Sequence, residues 1–375
     1  MAVSKRLLTV KGMIERAKSS VAVCEARGFY IFTGEIYIFH LCIEKQRRKD
    51  EDKKHMINKI TGGMIVLLLI VGSYMLFQQE NRETLRDSPV RVLTDGAGRQ
   101  VTLPGHPKRV VALNASNIDL YVSAGGMLIG RAATETLPAS VKTAVQQVPI
   151  IGLPPNPNLE QIVAMKPDLV LGANIPPHHA LIPVLEKAGI PILLQTLGSY
   201  QQVFDTLRLY GELTGHSEKV VDELDRIQTQ YQAAIASTQG KPAPRVLVLW
   251  GTTESFSMAL SGSFTGDLIK QLGAVNIADQ GANNGPVVDY VPVSLEFVTK
   301  ANPEVILFIT HSSDETVEEK FRNELATHPA WQGIKAIQQN RVYKLPYHLF
   351  AVNPGTQVGE AMEVLVRLLY GSGDE

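Results

Sequence analysis

From Arg109 onward, short apolar runs alternate with longer stretches whose apolar residues recur every three or four positions. Short apolar runs between turn residues are typical of buried strands, and the spacing of three and four is typical of helices. The predicted strands are Arg109–Leu113, Met127–Gly130, Asp168–Gly172, Pro191–Leu194, Arg245–Trp250, Glu304–Thr310 and Arg341–Leu345. The predicted helices are Ser116–Ala124, Leu159–Met165, His179–Ala188, Ser199–Thr214, Ser263–Leu272, Ser294–Ala301 and Thr356–Tyr370. Alternating strands and helices predict an α/β fold with central parallel sheets.

A different pattern precedes this region. Residues 87–105 alternate between apolar and polar side chains on both sides of Asp95-Gly-Ala-Gly98. Alternation interrupted by a glycine-rich turn predicts a short β-hairpin.

The longest predicted helix divides the strand and helix series into two sets. Ser217–Thr238 has apolar residues spaced at three and four, and contains neither glycine nor proline. Ser217 is its predicted N-cap, and Gly240 and Pro242 end it. At roughly 1.5 Å per residue it would be about 33 Å long. We therefore expect two Rossmann-like lobes joined by one long helix, with limited hinge motion.

The two sets share an internal repeat. Asn158-Leu-Glu-Gln-Ile-Val-Ala-Met-Lys-Pro-Asp-Leu matches Ser294-Leu-Glu-Phe-Val-Thr-Lys-Ala-Asn-Pro-Glu-Val in pattern. A proline and an acid between helix and strand are explained by the turn alone. The glutamates, Glu160 and Glu296, occupy the same helical position in both copies. Acids in a first turn favour the helix dipole, so a purely structural role for them stays open.

The first 80 residues have another character. A stretch rich in Lys and Arg precedes 60–77, a run without a charged residue. A membrane-spanning helix needs about 20 apolar residues, with 17 at the short end. Positive charge ahead of the run predicts a cytoplasmic N-terminus and an extracytoplasmic remainder. We expect an uncleaved anchor at 60–77, preceded by a cytoplasmic or spurious extension at 1–59.

A cleaved signal sequence starting near Met56 is the alternative, although no small-residue cleavage site follows Phe77. Both cysteines, Cys24 and Cys42, precede the apolar run, so the remainder needs no disulfide and suits an oxidising compartment. The formal net charge is -1, and no basic excess favours nucleic acid. We found no nucleophile elbow, phosphate-binding loop or zinc-protease motif, and we expect no enzymatic activity.

Several residue runs together resemble the class III substrate-binding proteins of ABC importers, which take up siderophores, haem and cobalamin. The resemblance covers about Arg91 to Tyr370. The runs that carry it are Asp95-Gly-Ala-Gly-Arg-Gln-Val-Thr-Leu-Pro, Pro107-Lys-Arg-Val-Val-Ala-Leu, Gly126-Met-Leu-Ile-Gly-Arg, the two Leu-Glu repeats, His328-Pro-Ala-Trp, Asn340-Arg-Val-Tyr and Asn353-Pro-Gly. It implies an N-terminal ligand-binding lobe at 90–215, a connecting helix at 217–238 and a C-terminal lobe at 244–371.

The resemblance also implies partners. In this class each lobe presents an acidic residue to an arginine of one permease subunit, and Glu160 and Glu296 match those positions. The ligand is a transported molecule bound between the lobes, and no catalytic cofactor is involved. The expected partners are a permease dimer with its ATPase, and the protein itself is expected to be a monomer on the outer face of the cell membrane.

In this class the ligand lies at the carboxyl ends of the strands. The loops predicted there, among them Gly251–Thr265 and Pro346–Thr356, contain no Lys or Arg and are rich in Asn, Ser, Thr and aromatic residues. Strongly anionic siderophores favour arginine clamps, so the cleft suits a large, flat or weakly charged ligand. The candidate ligand-binding residues are Asn114, Ser116, Arg131, His178, His179, Trp250, Met258, Phe264, Tyr290, His311, Tyr347, His348 and Phe350. Arg131 is the one nearby cation, placed to reach a carboxylate.

The C-terminal half is most similar to haem-receptor lipoproteins of the iron-regulated surface-determinant type. The runs are Val246-Leu-Val-Leu-Trp-Gly, Ser263-Phe-Thr-Gly-Asp-Leu, Ile309-Thr-His and Tyr343 to Phe350. His311 matches the histidine that ligates haem iron in that subfamily. Pro155 stands where a methionine ligand would be, so a sixth ligand is absent or comes from His178, His179 or Met258.

Other ligands and classes stay open. Cobalamin or a neutral hydroxamate siderophore would suit the same cleft. Zinc or manganese would need about three His, Asp or Glu ligands, and His178, His179, His311 and His348 are the candidates. A membrane-anchored sensor built on the same fold is a further alternative.

Overall fold

The computed structural model describes residues 90–252, 255–281, 289–310 and 315–371. The strands are β1 (Val90–Thr94), β2 (Gln100–Pro104), β3 (Val110–Ala112), β4 (Leu128–Arg131), β5 (Gly152–Leu153), β6 (Asn156–Pro157), β7 (Leu169–Ala173), β8 (Ile192–Gln195), β9 (Arg245–Gly251), β10 (Phe256–Ala259), β11 (Val275–Asn276), β12 (Tyr290–Pro292), β13 (Val305–Thr310) and β14 (Val342–Lys344).

The helices of the first half are α1 (Ala115–Ser123), α2 (Ala139–Ala144), α3 (Leu159–Ala164), α4 (Pro176–His179), α5 (Ile182–Lys187) and α6 (Tyr200–Thr214). They are followed by α7 (Ser217–Thr238), α8 (Phe264–Gln271), α9 (Leu295–Ala301), α10 (Glu315–Thr327), α11 (Pro329–Gln332), α12 (Lys335–Gln338), α13 (Tyr347–Phe350) and α14 (Val358–Tyr370). Two 3-10 turns occur at Ile277–Gln280 and Gly355–Gln357.

The first large sheet is parallel throughout, with strand order β4-β3-β7-β8. The second has the order β12-β10-β9-β13-β14, with β11 beside the start of β9. Its strands β9, β13 and β14 are parallel, but β10 runs antiparallel to β9 and β12 antiparallel to β10. The expectation of parallel sheets is therefore correct for the first sheet and wrong at one edge of the second.

The central strands are apolar on both faces because both faces are covered. In β3, Val110 and Ala112 belong to one apolar core, and Val111 belongs to another. In β9, Val246 and Val248 belong to the same core as Val110. This shared core includes residues of both large sheets and of α6, α7 and α14. The outward faces of the two sheets pack into separate cores.

The hairpin predicted at 87–105 is present as β1 and β2, antiparallel over five residue pairs. Residues 87–89 lie outside the described chain. Gly96 donates its N–H to the carbonyl of Leu194 at 2.6 Å. A Cβ at Gly96 would lie 2.5 Å from Thr196 Oγ1, so only glycine allows this approach. The hairpin turn thereby closes the β8 edge of the first sheet.

The helix predicted over Ser217–Thr238 has those bounds. Its N-cap, however, is His216 rather than Ser217, and no side chain caps it. The helix contacts α6 on one side and α14 on the other. Where it meets α6, a Cβ at Gly211 would lie 2.6 Å from Val220 Cγ2, so the absent side chain allows close packing.

Among the described residues, no helix is both long enough and apolar enough to cross a membrane. The predicted anchor at 60–77 and the extension at 1–59 lie outside the described residues.

Candidate functional site

The carboxyl ends of the two large sheets are joined at the loop that precedes α14. Ser116, in the first turn after β3, donates its hydroxyl to the carbonyl of Asn353 at 2.7 Å. The Asn353 amide in turn donates to the carbonyl of Leu197, after β8, at 2.8 Å. These bonds connect residues 237 and 156 positions apart in sequence. They form the floor between the two halves.

A buried carboxylate completes this floor. Asp119, 2% exposed, accepts hydrogen bonds from the Thr356 N–H at 2.6 Å and from the Thr356 hydroxyl. The Thr356 carbonyl accepts from the guanidinium of Arg226 on α7 at 2.8 Å. Burial raises the pKa of Asp119 to about 6, against the lowering effect of the Thr356 and Ser123 hydrogen bonds. We call Asp119, Asn353, Gly355 and Thr356 the floor node.

Two candidates of the first half lie beside this floor. Asn114 is the N-cap residue of α1, yet its side chain makes no capping bond. Its Oδ1 is buried and has no hydrogen-bond partner. Arg131 ends β4, and its guanidinium donates to the carbonyls of Val145 and Ala132 at 3.1 and 3.3 Å. These bonds fix the cation's orientation near the carboxyl ends of the strands.

His178 has a structural role, contrary to its prediction as a ligand. Its ring is fully buried, Nδ1 accepts the N–H of Ala173 at 2.8 Å, and Nε2 donates to the carbonyl of Pro154 at 2.8 Å. Both ring nitrogens are thus occupied in the neutral ring, and burial lowers the pKa of His178 below its ordinary value. The ring ties the end of β7 to the β5–β6 hairpin.

His179 differs from its neighbour. It is exposed, and its Nε2 donates to Asn174 Oδ1 at 2.6 Å. This bond leaves Nδ1 as the acceptor nitrogen of the neutral ring. Of the His178–His179 pair, only His179 therefore keeps a nitrogen that is open to a ligand.

Aromatic side chains line the second half. Trp250 lies near the end of β9, and Tyr290 begins β12. Their ring centroids are 5.5 Å apart at an interplanar angle of 57°. Tyr290 remains 44% exposed. The pair offers an accessible aromatic surface beside the strand ends.

Three apolar candidates contribute to packing instead. Met258, predicted in a loop, lies in β10 and is 4% exposed within the second sheet's outer core. Phe350 is 3% exposed, and Phe264 packs partly buried against the shared core. A thioether surrounded by core residues is not available to an iron ion. Met258 is therefore corrected to a core residue.

Tyr347 and His348 occupy α13, after β14. Tyr347 is partly buried, and burial together with the nearby Glu135 carboxylate raises its pKa above the ordinary value. The phenol therefore stays protonated at neutral pH unless a metal ion displaces the proton. Tyr347 also packs partly buried against the shared core. His348 is exposed, with Nε2 3.9 Å from Glu360 Oε1.

His311 follows β13 directly in sequence but lies outside the described residues, as do 253–254 after β9 and 282–288 before β12. Within the described ranges, no group of three or more His, Cys, Asp or Glu side chains is arranged to hold a metal ion.

Grooves also occur away from this region. One of about 450 Å³ lies beside α10, lined in part by Phe308 and Phe321. Another of about 410 Å³ lies where α6, α7 and α8 converge, lined in part by Tyr200 and Tyr231. Neither groove includes a residue predicted to bind ligand, so we keep the candidate site at the strand ends.

The two predicted docking glutamates lie on matching helices. Glu160 and Glu296 are both exposed, in the first turns of α3 and α9. The side chain of Asn158 accepts the N–H of Gln161 at 3.0 Å, and that of Ser294 accepts the N–H of Phe297 at 3.3 Å. Both helices are thus capped by the residue two positions before the glutamate.

Sequence reasoning missed the floor node. The residues from Asn353 to Thr356 are predicted only as part of a resemblance and of a loop at the strand ends, and a contact over 237 residues leaves no local pattern. A glycine before a threonine in a loop was the only available signal, and many loops contain one.

Comparison with known proteins identifies the fold. The model of the periplasmic binding protein family matches residues 110–349. The high-affinity heme uptake system protein IsdE of Staphylococcus aureus is 26% identical over 238 residues, which cover 62% of this chain and 79% of that protein.

Solved structures agree. An ABC transporter substrate-binding protein from Listeria monocytogenes EGD-e is 24% identical, with a TM-score of 0.63. The match covers 71% of this chain and 100% of that one. Staphylococcus aureus SirA complexed with staphyloferrin B is 20% identical with a TM-score of 0.60, covering 74% of this chain and 98% of that one. The resemblance inferred from the sequence is confirmed, and the chain belongs to the periplasmic binding protein family.

Proposed function

We propose that this chain is the substrate-binding component of an ABC importer for an iron complex, with haem as the first candidate ligand. The observation that carries the importer assignment is the matched pair of exposed, N-capped glutamates, Glu160 and Glu296. One carboxylate on each half suits a partner with two similar subunits, and such rim charges govern encounter and register. The similarity to an S. aureus heme uptake protein supports the same class of function.

In this proposal the two halves are lobes. The first lobe spans 90–215, the second spans 244–371, and the helix at 217–238 connects them. The shared core and the floor node support a hinge of small amplitude, because closure must preserve both.

The ligand would lie above the floor node, between the strand ends of both lobes. Trp250 and Tyr290 supply a stacking surface, Tyr347 adds a partly buried phenol from the same half, and Arg131 supplies one cation for a carboxylate such as a haem propionate. Asn114 offers a buried acceptor without a partner. His311 is the proposed iron ligand, and His179 is the candidate for a second.

A siderophore remains the second candidate, supported by the fold shared with SirA. An anionic siderophore would require more cations than Arg131, so a neutral hydroxamate fits better. Cobalamin is the third candidate.

Localisation and partners follow the same proposal. The chain would act outside the cell membrane as a monomer, anchored through 60–77, and would deliver its ligand to a permease dimer with its ATPase. Binding and release are the whole task, so no catalytic residue is assigned.

The test of the importer assignment is the double variant Glu160→Ala with Glu296→Ala. We expect ligand uptake by the cognate importer to be lost while the dissociation constant for the ligand stays unchanged, because both side chains are exposed and neither is a candidate ligand-binding residue. The matched control is Glu318→Ala, a carboxylate of the second half that is paired with Arg322. Unchanged uptake in the double variant would refute the docking assignment.

A further inference from the structure

Each docking helix is anchored at its end by an arginine from the first strand of the sheet behind it. Arg109, immediately before β3, donates from Nε to the Lys166 carbonyl at 3.1 Å and from Nη2 to the Met165 carbonyl at 2.6 Å. These carbonyls follow α3, which carries Glu160.

The second half repeats the arrangement. Arg245, the first residue of β9, donates from Nε and Nη2 to the Ala301 carbonyl at 3.2 and 2.8 Å. Ala301 is the last residue of α9, which carries Glu296. Counted from the glutamate, Ala301 occupies the position of Met165.

An acidic side chain accepts a hydrogen bond from the backbone of each arginine. Asp168 accepts the backbone N–H of Arg109 at 2.8 Å, and Glu304 accepts that of Arg245 at 3.1 Å. Both bonds span 59 residues of sequence. The identical separation shows that the internal repeat extends from the helix back to the preceding strand.

The backbone between helix and acid also matches. Lys166 and Asn302 adopt left-handed conformations with φ of 48° and 47°, each directly before a proline. Such a backbone conformation is unfavourable for residues other than glycine, unless surrounding contacts stabilise it. In the first half Arg109 bonds the carbonyl of the left-handed residue itself, and in the second half Arg245 bonds the carbonyl just before it.

Short helices need such anchors. With six and seven residues, α3 and α9 are too short to be stable by themselves. A side-chain cap satisfies the N–H groups at the start, and the arginine satisfies carbonyls at the end, where a cation also favours the helix dipole. The rigid guanidinium fork fixes direction better than a single ammonium group would.

We propose that Arg109 and Arg245 are positioning residues for permease docking, which set the direction and spacing of Glu160 and Glu296. This inference rests on the proposed function. Because each helix is held to the first strand of its own sheet, the distance between the two carboxylates is set by the sheets rather than by flexible loops. A two-subunit partner requires both carboxylates at fixed separation.

The experiment is a double-mutant cycle on binding to the cognate permease–ATPase complex in lipid nanodiscs, with the full chain free of ligand. We expect Arg109→Ala to weaken this binding roughly tenfold. In the Glu160→Ala background, Arg109→Ala should have no further effect, because the arginine acts through the glutamate. The cycle of Arg245→Ala with Glu296→Ala should behave in the same way.

Two controls separate positioning from general stability. Arg322→Ala removes an arginine of the second half that contacts Glu318 rather than a docking helix, and it should bind the complex as the unaltered chain does. Circular dichroism checks the fold of each variant. Arg109 is exposed, so Arg109→Ala keeps the test available if Arg245→Ala fails to fold.

Each outcome decides a claim. Additive effects of Arg109→Ala and Glu160→Ala, or no effect of Arg109→Ala where Glu160→Ala weakens binding, would overturn the positioning role and leave docking intact. If Glu160→Ala and Glu296→Ala both bind like the unaltered chain, the docking assignment falls, and the positioning role falls with it.

Discussion

Asp119 is a buried carboxyl group, and its burial disfavours the charged form. Its pKa rises from 3.8 to about 6, mainly because burial disfavours the charged form, and Glu223 adds to this effect. Arg226 on α7 is the nearby cation. The folded chain therefore holds a proton at Asp119 between about pH 4 and pH 6, which the unfolded chain has released.

The raised pKa of Asp119 predicts the direction in which stability changes with pH. Since the folded state binds more protons in this window, the contribution of Asp119 to the free energy of unfolding falls as pH rises from 4 to 6, by on the order of 3 kcal/mol. We expect Asp119→Asn, which keeps an acceptor for Thr356, to remove this decline. Urea unfolding at pH 4 and pH 7 measures it, and an unchanged pH dependence in the variant would contradict the assignment.

The contribution of His178 to the pH dependence of stability has the opposite sign to that of Asp119. Burial lowers its pKa below 6.5, and both ring nitrogens bond backbone groups only in the neutral form. The unfolded chain takes up a proton below pH 6.5, so His178 destabilises the fold as pH falls below that value. We expect His178→Gln to lose stability at pH 7.5 but to show a smaller further loss at pH 5.

The control for that experiment is His179→Gln, because His179 is exposed and bonds a side chain only. It should leave the stability curve unchanged. If His178→Gln kept the pH dependence of the unaltered chain, another histidine would be responsible.

At the scale of elements, the sequence located the strands whose two faces are both covered. Such strands are continuous apolar runs, as in Val305–Thr310, and they stand out from their polar surroundings. The antiparallel strands β10 and β12, of which β12 forms the edge of the sheet, were missed. Phe256–Ala259 contains Ser257 and lies in a serine-rich stretch, and β12 has only three residues, so neither resembles a buried strand.

The same error misplaced a site residue. The pattern predicts a loop over Gly251–Thr265 at the strand ends, which makes Met258 a ligand candidate, but a β-hairpin places Met258 in the core. The matching helical positions of Glu160 and Glu296 were predicted correctly because a repeat within one chain supplies its own comparison, and their role in docking stays a prediction. The floor node depends on contacts between distant segments, which a single sequence does not reveal.

The loop that carries the floor node depends on one glycine. Gly355 has φ of 59°, and a Cβ there would overlap Asp119 Oδ2. We expect Gly355→Ala to lower the free energy of unfolding by about 3 kcal/mol, from the left-handed backbone and the overlap together. Gly240→Ala is the matched control, since Gly240 has φ of 75° with open space around it, and should cost only about 1 kcal/mol. Equal losses in thermal unfolding would show that the contact with Asp119 is unimportant.

At the scale of the molecule, the sheets, the shared core and the repeated arginine anchors describe two similar halves held together by α7 and the floor node. In the proposed function, this arrangement would keep Glu160 and Glu296 in place while a ligand binds at the strand ends. The walls described there are aromatic and polar, with Arg131 as the cation contributed by the predicted site residues. These features favour a flat ligand with few negative charges over a highly anionic one.

The central claim is that this site captures an iron complex, with haem first. The most direct measurement is a titration of residues 80–375 with haemin, followed at the Soret band, with cyanocobalamin and a neutral hydroxamate siderophore in parallel. The account predicts saturable one-to-one binding of haemin with a Soret shift that His311→Ala removes or displaces, while Met258→Leu leaves it unchanged. Binding of neither haemin nor the ferric hydroxamate siderophore would contradict the claim, whether or not cyanocobalamin binds.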